Sequence, residues 1–208
     1  RRQNTFFFFS DDDFLEGDLV YVITKPHAIR ELMQLSGKTK FNINNVMIVG
    51  GSRVGKLTAK RLENDLNIKI IEMDKSRSFE LTNVLSNTLV VNADARNVDL
   101  LEDEGIKDMD AFIAVTDNTE TNILTCLQAK SFGVKRTIAM VENIDYIDIS
   151  QNIGIDTIIN KKLIAASYMV RYTLGGNVSS LKCLSGIDAD IVEFVVLDGA
   201  AVTNKPIN

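Results

Sequence analysis

Histidine occurs once in these 208 residues, cysteine twice and proline twice. With His27 alone and two separated cysteines, neither a Ser/His/Asp set nor a metal cluster can be assembled. Cys126 and Cys183 cannot form a CxxC pair, and they read as small buried apolar residues in a reducing compartment. A basic excess is also missing. Lysine and arginine number 23 against 28 acidic residues, a formal charge of -5, so no nucleic acid is expected as a partner. No apolar run approaches the roughly 18 residues that span a bilayer, so no direct membrane insertion is expected. The opening Arg1 to Phe9 superficially mimics a signal peptide, but its apolar stretch is short and runs straight into Asp11-Asp12-Asp13. We therefore expect no targeting segment. So abrupt a start suggests a piece of a longer protein, and if that protein works at a membrane it is expected to do so through a partner.

What remains is ordinary globular composition, 45% hydrophobic and 25% charged. Residues 6–40 read as a small first unit: a turn at 16–18, a β-branched strand at 19–23 stopped by Pro26, and a short helix at 28–35 ended by Ser36-Gly37. That is too little chain for a core of its own. From Asn44 the pattern alternates apolar runs with amphipathic stretches, the signature of βαβ units around a parallel sheet. Strands are expected at 45–49, 68–73, 88–91, 111–115, 137–140 and 157–159, nearly continuous in apolar residues as if covered on both faces. Helices are expected at 54–64, 77–86, 98–104, 119–132, 144–152 and 161–174. After Gly186 a strand at 190–196 turns at Asp198-Gly199, opening a second small unit. The expected fold is α/β, a Rossmann-like doubly wound parallel sheet flanked by partial small α+β subdomains.

The most informative stretch joins the first strand to its helix: Val49-Gly50-Gly51-Ser52-Arg53-Val54-Gly55. It matches G-x-G-x-x-G except that Ser52 holds the middle position. Gly50 allows the tight turn, Gly55 allows helix to pack on strand, and the helix start offers N–H groups to an anion. Ser52 adds bulk where backbone and pyrophosphate approach, yet brings a hydroxyl that can reach a phosphate. Glu72 ends the second strand, twenty-two positions after Gly50 and near the roughly 20 of the dinucleotide fingerprint. A carboxylate there accepts from both ribose hydroxyls and repels a 2′-phosphate, favouring NAD(H) over NADP(H). The bland alternative is a glycine turn that serves packing alone, with Glu72 a solvated strand end. Arg53 lies inside the loop and Met73 and Arg77 follow Glu72, each arginine read as a phosphate contact or as a solvated helix residue. Asp94 and Ala95 follow the third strand, where Asp94 is a turn aspartate or an acceptor for an adenine amino group. Thr116-Asp117-Asn118-Thr119 ends the fourth strand at the same edge, with a helix N-cap among them.

These residues carry a resemblance. The stretch 48–55, then Ile71-Glu72, Ala93-Asp94-Ala95, 115–122, 129–133 and 154–159, resembles the TrkA-type potassium-uptake regulators, which carry RCK domains (regulators of potassium conductance). The resemblance implies the end of a first RCK C-terminal subdomain at 1–40 and a Rossmann nucleotide-binding RCK N-terminal domain at 44–160. It also implies a crossover helix and linker at 161–185 and the start of a second RCK C-terminal subdomain at 186–208. It further implies a cytoplasmic protein, peripheral to the inner face of the cell membrane, that forms homo-oligomers through RCK domains. Its partner would be a membrane potassium transporter subunit of the TrkH type. NAD(H) is the implied cofactor and ATP or ADP the alternative, held by Gly50, Ser52, Arg53, Glu72 and Asp94. Ser52 and Ala93 depart from the family pattern, each standing where glycine is common.

A second class is an NAD-dependent oxidoreductase. Hydride transfer needs an acid or base beside the nicotinamide. Tyr168 is followed four places later by Tyr172 and Tyr146 by Ser150, so the Tyr-x-x-x-Lys pair of short-chain dehydrogenases is missing at both. A regulator that is not an enzyme is therefore expected. A third class, a structural copy that has lost its ligand, has Ser52 and Ala93 as its support.

Overall fold

A computed structural model describes residues 11–15, 20, 22–35, 42–173, 178–183, 190–200 and 202–203. They divide between two compact units, 42–165 and a second made of 1–41 with 166–208. In the second unit a 3-10 turn, Pro26–Ala28, leads into α1 (Ile29–Leu35). The strand expected at 19–23 is absent at Val20, Val22 and Ile23, while 19 and 21 lie outside the described residues. Pro26 sits at the first position of that turn, where its missing N–H costs nothing, instead of stopping a strand. The turns expected at 16–18 and 36–37, and Gly186, also lie outside the described residues.

Unit 42–165 alternates strand and helix: β1 (Asn45–Val49), α2 (Arg53–Leu62), β2 (Asn67–Glu72), α3 (Lys75–Val84), β3 (Thr88–Asn92), α4 (Val98–Asp103), β4 (Ala111–Ala114), α5 (Thr119–Ser131), β5 (Arg136–Met140), α6 (Asp145–Asn152) and β6 (Thr157–Ile159). Every pairing in the six-stranded sheet is parallel, in the order β3-β2-β1-β4-β5-β6. The chain therefore reverses its direction of travel across the sheet between β1 and β4, the place where open α/β sheets leave a crevice at their carboxyl edge. The β1 register alternates between two cores. Val46 and Ile48 pack with Ala59 of α2 and Leu81 of α3, while Met47 and Val49 pack with Leu101 of α4 and with Cys126 and Ala129 of α5. Helices on both faces explain why the strands read as unbroken apolar runs. Cys126 belongs to this packing: its Sγ meets the Ile138 carbonyl at 3.4 Å, and burial pushes the thiol up to about 12.

α3 begins at Lys75, two residues before the expected start, because Asp74 accepts from the Arg77 N–H at 2.7 Å and caps it. Beyond the sheet, α7 (Lys161–Thr173) starts where Asn160 accepts the Leu163 N–H at 2.9 Å. The strand expected at 190–196 spans Asp190–Phe194 as β8, and it pairs antiparallel with β7 (Val178–Cys183), which carries no alternating signal clear enough to be read in advance.

At the amino edge of the sheet, three carboxylates tie strand starts to their neighbours. Glu63, at the end of α2, accepts from the Asn87 and Ser86 N–H groups and the Thr88 hydroxyl, each at 3.0 Å. Asp110 accepts from the Asn44 and Asn45 N–H groups at 2.9 and 3.1 Å. Asp156 accepts from the Thr137 N–H and from Lys130, both at 2.8 Å. The Asn87 bond most of all holds Glu63 below its ordinary 4.5, and the Asn44 bond holds Asp110 below 3.8. Burial, the largest single influence, pushes Asp156 up, but its bonds from Lys130 and Thr137 together outweigh it and the net shift is downward. Lowered carboxylates stabilise the fold fully above their ordinary values, and the contribution disappears as the pH falls through the lowered ones. We expect the melting temperature to fall steeply below about pH 4.5. Glu63→Gln should start lower at neutral pH and lose less on acidification, so a constant offset between the two curves would contradict a charged Glu63 clamp.

Candidate functional site

The loop between β1 and α2 is shaped by close approaches. Gly50 has φ 102, and a Cβ on it would stand 2.8 Å from the Thr116 nitrogen. A Cβ on Gly55 would stand 2.0 Å from the Gly50 carbonyl oxygen, so α2 is pressed against the loop that precedes it. Gly51 has the Leu81 side chain and the Glu72 carboxylate behind it, its own missing Cβ falling 2.4 Å from Leu81 Cδ1. The turn has room for backbone alone at these three positions, which lets the start of α2 sit close against the strand ends. At the start of α2 no side chain caps the first turn, although Ser52 occupies the N-cap position. The Ser52 hydroxyl instead donates to the Val115 carbonyl at 3.0 Å. That bond ties the loop to the residue that follows β4.

Glu72 is 6% exposed at the carboxyl end of β2. One oxygen accepts the Gly51 N–H at 2.6 Å and the other the Asp74 N–H at 2.7 Å. Arg77 approaches the first of these oxygens at 3.6 Å from the outside. The bland picture of a solvated strand end is therefore excluded: the carboxylate braces the glycine loop from behind and ties it to the start of α3. Arg53 is the first residue of α2 and exposed, Val54 is half-buried, and Met73 is exposed beside Glu72.

At the end of β3, Asp94 is held by Arg96, which reaches it with Nε at 3.0 Å and Nη2 at 2.7 Å. The Arg96 side chain, helped by its N–H, holds the Asp94 carboxyl below its usual range. Arg96 carried no signal in the sequence. Ala95, expected at the ligand, turns into the core among Leu101 and Val49 and offers a site only its backbone.

At the end of β4, Thr116 and Asn118 fold onto their own helix. Asn118 caps α5 by accepting the Thr121 N–H at 2.6 Å. Asn122, 1% exposed, accepts from the Thr116 N–H and hydroxyl at 2.9 and 2.7 Å. Its amide donates to the Thr116 and Met140 carbonyls at 3.0 and 2.8 Å, joining β4 to β5. Asn122 lies in the first turn of α5, where an asparagine carries no sequence signal that sets it apart. Beyond this edge lies an open cavity of about 560 Å³ lined by Asp117, Asn118, Glu142, Asn143 and Lys162 among others, and taking in none of the glycine loop. Among the described residues no group of histidine, cysteine and acidic side chains could hold a metal ion, and no helix is long and apolar enough to cross a membrane.

Residues 46–161 match the family model of the TrkA-N domain. Over 95% of its length the chain is 34% identical to Trk system potassium uptake protein TrkA homolog 2 of Methanosarcina mazei, of which it covers 45%. The chain thus spans about half the length of the curated relatives it matches. Among solved structures, the TrkA-N domain of inner membrane protein ybaL from Escherichia coli aligns with a TM-score of 0.57 at 19% identity, over 64% of this chain and 98% of that one. The GsuK channel bound to NAD aligns with a TM-score of 0.55 at 15% identity, over 63% of this chain and 24% of that one. At such identities these two likenesses concern the fold.

Proposed function

The chain belongs to the TrkA-N domain family, and from that premise we propose that residues 44–160 form the nucleotide-binding domain of an RCK unit that senses its ligand without transforming it. The observation that carries this reading is the loop at the β1–β4 crevice. Three side-chain-free positions press an uncapped helix start against the strand ends, with a buried carboxylate fixed behind them. That cradle fits a pyrophosphate, whose negative charge would meet the N–H groups at 52–55 and the dipole of α2, the Gly51 N–H being held by Glu72. Arg53 and Arg77 would add positive charge at its flanks. Glu72 and Met73 would serve the adenosine ribose, Asp94 and the Ala95 backbone the adenine end, and Thr116 and Asn118 the other half of a dinucleotide. NAD(H) is the ligand we assign, with ATP or ADP as the alternative. The NAD-bound form of the GsuK channel supports a nucleotide on this fold.

The whole protein is then a regulatory subunit of a Trk-type potassium uptake system, as the names of its relatives suggest. It would work at the cytoplasmic face of the membrane, bound to a TrkH-type subunit and assembled through its RCK domains. On this reading 1–40 ends one RCK C-terminal subdomain, 161–185 is the crossover helix and linker, and 186–208 begins another subdomain. A ligand biases such an assembly only by binding its two arrangements with different affinity. α7 leaves Tyr168, Met169 and Tyr172 well exposed, apolar surface of the kind that marks an interface. Met169→Asp should therefore lower the assembly state in size-exclusion and light-scattering measurements. An unchanged state would remove α7 from the interface.

The direct test is calorimetric titration of the chain with NADH, NAD, ATP, ADP and NADPH beside a redox assay. Saturable binding without turnover is expected, with NADPH excluded by Glu72. Glu72→Gln should weaken NADH by about 1–3 kcal/mol, since it loses a charged acceptor and sets an amide against the loop N–H groups. Silence from all five ligands would leave a structural copy of the domain, and turnover would make it an oxidoreductase.

A further inference from the structure

Asp94 stands where an adenine amino group would find an acceptor, yet its carboxylate is already engaged. Oδ1 accepts from the Arg96 N–H and Nε–H, both at 3.0 Å, and Oδ2 from Nη2 at 2.7 Å. An arginine bound sideways through Nε and Nη2 has that edge set against the carboxylate, which fixes the plane of its guanidinium. Arg96 is 64% exposed, and the same Nη2 lies 4.0 Å from Met73 Sδ. Met73, 63% exposed, is the residue after Glu72. A guanidinium and a polarisable thioether thus lie side by side across the carboxyl ends of β2 and β3, next to the carboxylate assigned to the ribose. Both groups are mostly exposed, and each is a good partner for the face of a heteroaromatic ring.

We propose that Arg96 is the base-stacking residue of the nucleotide site, with its guanidinium face and Met73 forming the platform for a purine and with Asp94 as the positioning residue that holds Arg96 flat. The proposal rests on the nucleotide-binding reading above and changes what that site recognises. Asp94 does not read the adenine amino group, because the arginine occupies it. Recognition at this end is by the π-face, which all purines share, so the site selects a purine nucleotide with little preference between adenine and hypoxanthine.

Binding of AMP, IMP and ribose 5-phosphate to the chain and its variants tests this, with the weak sugar phosphate measured by competition. Wild type should bind AMP and IMP within roughly threefold of each other, since stacking is tolerant of the base. Arg96→Ala should weaken both by roughly 5- to 100-fold, the span of one base–side-chain stack, and leave ribose 5-phosphate unchanged. Arg96→Lys should fall with the alanine variant, because it keeps the charge and loses the plane. Asp94→Asn should show a smaller loss of the same kind. An AMP preference over IMP of thirtyfold or more that vanishes in Asp94→Asn would overturn the proposal and return Asp94 to the amino group, with the nucleotide site intact. Equal losses for AMP and ribose 5-phosphate in Arg96→Ala, or no loss at all, would also overturn it. Wild-type chain that is folded and binds none of the three would bring down the underlying reading itself.

Discussion

Gly55→Ala should lower the stability of unit 42–165 by about 3 kcal/mol, the upper end of the cost of forcing a group into filled space. The added methyl would stand 2.0 Å from the Gly50 carbonyl oxygen. Both atoms belong to elements that cannot yield separately. Gly50 is held by its N–H to the Ile71 carbonyl at 2.9 Å, and α2 is held by Ala59 in the core. The helix would have to move off the strand ends, which takes the N–H groups at 52–55 out of position. We expect the melting temperature to drop by roughly 6–12 °C for a chain of this size. NADH binding should be lost even at temperatures where the variant is fully folded. A variant that melts and binds like wild type would mean that the helix does not press on the loop.

The other large effect is expected at Asn122. Replacing it with leucine, close in size, strips the Thr116 N–H of its acceptor and the Thr116 and Met140 carbonyls of a donor. Each unsatisfied buried group costs about 1–3 kcal/mol, so a loss of about 4 kcal/mol is expected by thermal or urea unfolding. Asn122→Ala should be comparable, adding a small cavity but admitting water. Function should suffer as well, because Thr116 backs the glycine loop: its nitrogen is the atom nearest to where a Gly50 Cβ would lie. A weaker grip on Thr116 loosens that wall. If Asn122→Leu unfolds within 1 kcal/mol of wild type, the bond network around it is not a clamp.

The sheet and its helices were legible because their cause is local. Runs such as Val46-Met47-Ile48-Val49 and Ala111-Phe112-Ile113-Ala114 have no polar break, and only a strand covered on both faces buries them fully. The glycine loop and Glu72 were legible for the same reason, a spacing set by one β-α-β passage. What could not be read depends on contacts between distant segments. Asn122 reaches across to β5, Glu63 to the start of β3, and Arg96 back to Met73. In each case one polar residue acts through a partner many positions away, and no period in the sequence marks it. Ser52 shows the converse. Its position in the motif was plain, but the direction of its hydroxyl was decided by Val115, sixty-three positions on. Ala95 was placed at the site by its neighbour Asp94, whereas the turn after β3 points it into the core.

Amide hydrogen exchange of the chain, with and without saturating NADH, tests most directly whether a nucleotide lies at this crevice. Slowed exchange at 50–55, 72–74 and 94–96, with the amino edge around Glu63, Asp110 and Asp156 unchanged, is the predicted result. Exchange that is unaltered everywhere, or slowed only away from the glycine loop, would contradict it.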